Sequence, residues 1–494
     1  MSSTKVSLAD CLWARAARHP DRPAIVQGDL QLTYAELAAM AARTAHALRA
    51  RGLAPGDRIG IASRDSAETM ISIFAIWMMD AVAVPIDFRA RPDEKIRLAG
   101  EFGLAAIIED RDIGGADYAS MVVDAAWREA RMHLPATPPP CTGPARPALI
   151  SLTSGTTGRP LGIELDHHSV MARFFGYSQE GCYVLDGIFL NAVPMSSSGS
   201  RNHSIARLLA GGTLHFFPPI FGAGELVEAV NSIGASFIFT VPTTVASMLD
   251  LTEDGAAPLM PGLGTLYVGG SSMPARDKQR ARRLLNPNFM FCFSSSITGT
   301  CSVLYGEDVD RHPDTSGRIL PLVRIETVDA EGNRVPEGET GILRVRSPAM
   351  AHRLFENRSR DTGDRFLDGW AYTGDHGIIS NGGFLTITGR TSDMIIRGGA
   401  NVYPAEVETA IARLDGVRDC AVVGYASAQF GQEIAAFIET NRPLDLATIE
   451  AHCRTTLAPD KRPRRVILVE AMPRNNNGKI LKRDLVAQLE QENA

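Results

Sequence analysis

An apolar run, Ala148-Leu149-Ile150-Ser151-Leu152, passes directly into Thr153-Ser154-Gly155-Thr156-Thr157-Gly158-Arg159-Pro160. This junction constrains the fold more than any other stretch of the chain. The run reads as a buried strand, and the residues at its exit carry almost no side-chain bulk. Backbone N–H groups of such a loop can close on an anion, and its hydroxyls add further donors. The chemistry is that of a phosphate cradle. It is not a Walker A loop, which ends Gly-Lys-Ser/Thr, because here the chain continues Arg159-Pro160-Leu161-Gly162.

Helical and strand patterns alternate around this junction. Thr33-Tyr34-Ala35-Glu36 is a capping box, and Leu37, Met40, Ala41, Ala47 and Leu48 continue one apolar face up to Gly52. Residues 58–62 then read as a buried strand, 66–79 as a helix, and 81–84 and 105–109 as strands. The rhythm predicts parallel-sheet α/β layers. Six prolines between 135 and 147 mark a semi-rigid linker into the cradle strand. Strands recur at 214–217, 237–240 and 265–268. After Ile319 short strands broken by Gly and Pro predict a β-rich subdomain. Beyond Arg390 a smaller α+β unit follows: helices at 404–414 and 446–457, and strands at 421–424, 434–439 and 466–469.

At 494 residues the chain exceeds one ordinary core, so at least two domains are expected. A net charge of −6 and a pI near 6.0 argue against a nucleic-acid or anionic-membrane surface. The longest apolar stretch, 70–79, is too short to span a bilayer, and no signal-peptide core follows the start. The seven cysteines form no Cys-x-x-Cys pair and are odd in number, as expected for reduced thiols in a cytoplasmic protein. The histidines at 167, 168 and 203 lack metal-ligand spacing, and no metal ligand is assigned.

Four further segments carry chemistry. They are Gly369-Trp370-Ala371-Tyr372-Thr373-Gly374-Asp375, Gly389-Arg390-Thr391-Ser392-Asp393, the run Arg397-Gly398-Gly399-Ala400-Asn401, and Pro473-Arg474-Asn475-Asn476-Asn477-Gly478-Lys479. With the cradle, and in this order, they resemble the signatures of the adenylate-forming superfamily. That group holds acyl- and aryl-CoA synthetases, peptide-synthetase adenylation domains and firefly luciferase, and the resemblance covers essentially the whole chain. It implies a large N-terminal domain of layered α/β subdomains with a β-rich subdomain, residues 1–392. A small mobile α+β domain, 393–494, would follow.

The resemblance also implies roles. The loop of Thr153, Ser154, Gly155, Thr156, Thr157 and Gly158 would hold the outer phosphates of ATP, with Gly270, Ser271 and Ser295 completing the nucleotide site. Asp375 would accept from both ribose hydroxyls, and Arg390 would fork onto ribose or phosphate oxygens. Lys479, one of six lysines in the chain, would bridge the acid and the α-phosphate, with Thr298 as its catalytic companion. Asp393 would be the hinge, and Gly398-Gly399 would line the thiol tunnel.

The chain departs from the family pattern at the ATP end. Leu161 stands where the cradle usually ends in lysine. Ser295-Ser296-Ile297-Thr298-Gly299 replaces Tyr-Gly-x-Thr-Glu, so the adenine-stacking aromatic is Ser295 and the magnesium-holding glutamate is Gly299. In the acyl pocket the gating histidine is Ser197, followed by Arg201 and His203. That cation and its neighbours predict a substrate with a second polar or anionic group. Three readings follow. The first is an ATP- and Mg2+-dependent ligase joining a small carboxylic acid to CoA. The second is a ligase passing its acyl adenylate to an amine or a carrier protein. The third is a nucleotide- or acyl-binding homologue without turnover.

Overall fold

The computed structural model describes residues 6–64, 66–111, 118–140, 147–153, 160–178, 187–218, 220–355, 365–427, 429–474 and 478–492. Three sheets organise them. The first has a parallel centre of strands Thr213–Phe216, Ile188–Asn191, Phe237–Thr240, Thr265–Gly269 and Phe289–Ser295. On one side it continues antiparallel through Gly299–Tyr305, Arg318–Ile319, Phe384–Arg390, Trp370–Ser380, Gly341–Arg346 and Arg324–Val328. This is the β-rich region expected after Ile319.

The second sheet is seven-stranded and holds Leu149–Thr153 between Val82–Pro85 and Leu161–Leu165. Its central strands Arg58–Ala62, Val82–Pro85 and Ala106–Glu109 are almost wholly buried, mostly apolar runs, as strands covered on both faces require. Trp77, on the helix Ala67–Met78, fastens the cradle strand by donating its indole N–H to Ala148 O at 2.7 Å. The strand Leu161–Leu165, absent from the sequence reading, pairs antiparallel with Leu149–Thr153, so two paired strands flank the segment expected to form the cradle, which itself lies outside the described residues.

The third sheet is built from Ile395–Arg397, Ala400–Val402, Val417–Ser427, Gly431–Thr440 and Arg465–Val469, with helices Pro404–Ala412 and Leu446–Thr456 packed around its own core. Exposed ion pairs join it to the first sheet's helices. Arg276 Nη1 lies 3.4 Å from Asp415 Oδ1, and Arg418 Nη2 lies 3.0 Å from Asp250 Oδ2.

Local chemistry explains the elements. Thr33 accepts from Glu36 N while Glu36 accepts from Thr33 N, which starts the helix Tyr34–Ala50. Pro242 and Pro404 open their helices at the first turn, where a missing N–H is harmless. The described part of the proline-rich stretch, 135–140, contacts the helix Tyr34–Ala50: Arg49 donates to Pro140 O at 2.7 Å. Among the described residues no helix is long and apolar enough to cross a membrane.

Gly317 shows how tightly the strand Gly299–Tyr305 is held. It has φ +92°, and a Cβ there would overlap the backbone of Val303 and Leu304. Gly317→Ala should therefore lower the melting temperature of the large lobe by several degrees, about 2–3 kcal/mol. Differential scanning calorimetry would show it, and an unchanged transition would contradict the packing described.

Candidate active site

The carboxyl ends of the parallel strands define the site. Strands Ile188–Asn191, Phe237–Thr240, Thr265–Gly269 and Phe289–Ser295 are paired in parallel, so the turns after them lie side by side. Open α/β sheets bind ligands at this edge. Gly270 leaves its strand at φ +101°, an exit that favours glycine, with Ser271 following it. The next turn is closed by Ser295 Oγ, which accepts from Thr298 N at 3.1 Å and lies 2.9 Å from Thr298 Oγ1. Thr298 is fully buried, and its hydroxyl also donates to Gly299 O. Its part in this arrangement is to shape the turn from behind.

Asp375 and Arg390 face each other across the ladder of Trp370–Ser380 and Phe384–Arg390. Arg390 Nε donates to Asp375 Oδ1 at 2.9 Å. Asp375 is 3% exposed, and its amide donates to Thr373 Oγ1. Its Oδ2 is buried without a hydrogen-bond partner among the described residues. An orphaned carboxylate oxygen is costly in the free protein and is a ready acceptor for a ligand hydroxyl. This fits the ribose of a nucleotide.

The turn bearing Lys479 lies against the same edge. A Cβ on Gly478 would meet Thr243 Oγ1 at 2.6 Å, which places that turn at the start of the helix Pro242–Leu249. Lys479 is exposed by area, yet the protein packed around it lowers its pKa below the ordinary lysine value. The Arg390 guanidinium adds to that lowering, while Asp393 and Asp375 oppose it. An exposed side chain that still feels four neighbouring charges belongs to a cleft, not to open surface. Lys479, Asp375 and Arg390 are thus brought together. Asp393 ends the short 3-10 turn Thr391–Asp393, between the strands Phe384–Arg390 and Ile395–Arg397.

Other expected residues stand elsewhere. Thr153 ends its strand, its hydroxyl donating to Leu161 O at 3.4 Å, whereas Ser154, Gly155, Thr156, Thr157 and Gly158 lie outside the described residues. Gly398 and Gly399 form the turn of the hairpin Ile395–Arg397/Ala400–Val402, and Gly398 packs on Phe430 of the same lobe. Ser197 precedes the helix Ser198–Ala210 and is partly exposed.

Two pocket assignments are corrected. Arg201 is fully buried, and its guanidinium donates to Met195 O, Ser196 O and Ser151 Oγ at 2.9, 3.1 and 2.8 Å. It braces two loops and does not meet a second group on the substrate. His203 lies among Phe237, Phe239 and Tyr267 with ring centroids 5.0–5.2 Å away. Burial, with Arg207 adding to it, pushes its pKa down to about 3, so it is a neutral core residue.

Sequence reasoning missed Ser151, Thr243 and Arg173. Ser151 is the one polar residue in the apolar run 148–152, which was the available signal. Arg173, buried on the helix His167–Ser178, gave none. Beside it opens a cavity of about 300 Å3 lined by Met171, Phe175, Leu320, Val323 and Ala349, among others, with Arg173 in its wall. Removing the orphaned acceptor should be informative: Asp375→Ala should weaken AMP binding about tenfold or more in calorimetry while the melting temperature moves by only a few degrees. Unchanged AMP affinity would remove Asp375 from the site.

Comparison with known proteins identifies the family. Residues 12–355 match the AMP-binding enzyme family, and residues 406–479 match the AMP-binding enzyme C-terminal domain. The long-chain-fatty-acid–CoA ligase FadD13 of Mycobacterium tuberculosis is 31% identical over 95% of this chain and 96% of its own. The fatty acid–[acyl-carrier-protein] ligase ScoC of Streptomyces coeruleorubidus is 28% identical over 95% and 94%. Among solved structures, O-succinylbenzoate coenzyme A synthetase MenE from Bacillus subtilis, in complex with ATP and magnesium ion, superposes with a TM-score of 0.84. It shares 23% identity, covering 96% of this chain and 98% of that one. The chain belongs to the AMP-binding enzyme family.

Proposed function

We propose that the protein is an ATP-dependent acid–CoA ligase. An oxygen of the substrate carboxylate attacks the α-phosphorus of ATP, and pyrophosphate leaves. The thiol of CoA then attacks the acyl carbon and releases AMP. The division of labour follows the residues. Thr153 and the loop after it hold the outer phosphates, with Gly270, Ser271 and Ser295 along the nucleotide. Asp375 accepts from the ribose diol through its free oxygen, and Arg390 fixes that carboxylate. Lys479 stabilises the charge that builds between acid and α-phosphate, where a preorganised cation counts most. The single observation that carries this reading is the convergence of Lys479, from the end of the chain, with Asp375 and Arg390.

The division between lobes at 392/393, with Asp393 as hinge and Gly398-Gly399 toward the thiol, is part of the same proposal. So is a cytoplasmic setting, which suits the free thiols of Cys11, Cys301, Cys420 and Cys453. The apolar lining of the cavity beside Arg173 favours an acid with an apolar body over a dicarboxylic one. A second reading, transfer of the acyl group to a carrier protein, is favoured by the likeness to ScoC.

Pyrophosphate release across a panel of acids, with CoA, an amine or a carrier protein added, separates the two. Acid-dependent release that needs CoA for full turnover is expected. The absence of release with every acid in the panel would leave only a binding protein. Lys479→Ala should slow release about a hundredfold or more. Because the ammonium must keep its proton and its pKa is lowered, wild-type adenylation should fall as pH rises through a value below the ordinary lysine range. That alkaline limb should vanish in Lys479→Arg; a limb identical in both would detach it from this lysine.

A further inference from the structure

Beside Asp375 stands a second side chain that the nucleotide site leaves unused. His376 is opposite Gly389 in the same ladder that sets Asp375 opposite Arg390. It is 7% exposed, and its Nε2 lies 3.0 Å from Thr391 Oγ1 in the 3-10 turn Thr391–Asp393. Its ring packs on that of Tyr403, with centroids 4.9 Å and planes 43° apart. Tyr403 belongs to the small lobe, immediately before the helix Pro404–Ala412. Gly389 leaves room for it: a Cβ at 389 would already touch Tyr403 Cβ and Cδ1 at 3.4 Å, so a longer side chain would displace the ring.

One imidazole thus touches a strand of the large lobe, the expected hinge turn and the small lobe. Its Nδ1 is buried with no hydrogen-bond partner among the described residues, so packing on Tyr403 does more to orient the ring than polar contacts do. Burial holds its pKa below the ordinary histidine value, against the pull of Asp375, and a neutral ring loses little by leaving water.

The contact continues toward the lysine. The helix Pro404–Ala412 carries Glu408, whose Oε1 accepts from Val422 N at 2.8 Å and lies 2.7 Å from Lys482 Nζ. Lys482 opens the helix Lys482–Glu492, three residues after Lys479. From the neighbour of Asp375 to the turn of Lys479, the groups are packed or bonded at every step.

We propose that His376 is a positioning residue for adenylation: its ring, seated on Tyr403, sets the lobe orientation in which Lys479 stands over the cleft. The proposal rests on the ligase reading. A contact between lobes biases their orientation only if it is made in one and lost in another. Removing it should therefore slow the step that needs the lysine and spare the step that does not.

The test measures the two steps apart in the full-length protein, with whichever acid of the panel releases most pyrophosphate. ATP–pyrophosphate exchange reports adenylation, and CoA-dependent consumption of the synthetic acyl-adenylate reports the second step. His376→Ala and Tyr403→Ala should each lower the turnover of exchange about tenfold or more. The KM for ATP should stay within about threefold, because Asp375 and Arg390 keep their contact. Consumption of the acyl-adenylate should be unchanged or faster. His376→Phe, which restores a ring without Nε2, should recover most of the loss. In a Lys479→Ala background, His376→Ala should cost no more than about twofold further, since the group it positions is gone. Wild-type exchange in folded His376→Ala or Tyr403→Ala would overturn the proposal. So would an equal loss in both steps, or a full loss persisting without Lys479, either of which marks a merely structural role. Should His376→Ala fail to fold, the half-buried Tyr403→Ala decides alone. Absence of exchange by the wild type with every acid would instead bring down the ligase reading, and this proposal with it.

Discussion

The three-point grip of Arg201 is the interaction on which the rest of the cleft depends. One guanidinium reaches Ser151 in the second sheet and the carbonyls of Met195 and Ser196 at the edge of the first. The two sheets arise from separate stretches of chain, and nothing in either alone fixes the distance between their strand ends. The side chain is rigid and planar, so it sets both spacing and orientation. Its burial with no carboxylate partner among the described residues is a stability cost borne at the site.

The same logic governs Asp375. An antiparallel pair places it opposite Arg390, and Gly374, at φ +80°, turns the backbone just before it. One oxygen is consumed by Arg390 and the other is buried with no partner among the described residues. In the proposed ribose contact, specificity for a diol would come from this unmet acceptor more than from added attraction, because a ligand lacking the hydroxyl would leave the oxygen unsatisfied.

Much of this was legible in the residues. The capping box at Thr33, the strand Arg58–Ala62 and the strand Phe237–Thr240 fall where their patterns put them, because short buried strands and capped helices carry their own local signals. The strand Val417–Ser427 is longer than its apolar centre at 421–424, since ladder bonds extend into polar residues that periodicity does not flag. The hairpin partner Leu161–Leu165 was hidden because Gly162 and Glu164 interrupt its apolar pattern; in the sheet, Glu164 pairs with Arg353 from far along the chain. Arg201 was visible as a cation beside a pocket motif, but its direction was not. That direction is decided by Ser151 and two carbonyls that only the tertiary fold assembles. Arg173 was silent for the same reason.

The small lobe leans on the large one partly through Arg276–Asp415 and Arg418–Asp250, whose side chains keep between 36% and 75% of their surface in water. Exposed pairs of this kind contribute about 0–1 kcal/mol each and weaken as salt is added. Their strength is thus close to thermal energy, so they would lock neither orientation in the proposed lobe swing. Ionic strength would then be a dial on how long the lysine-bearing lobe dwells over the cleft.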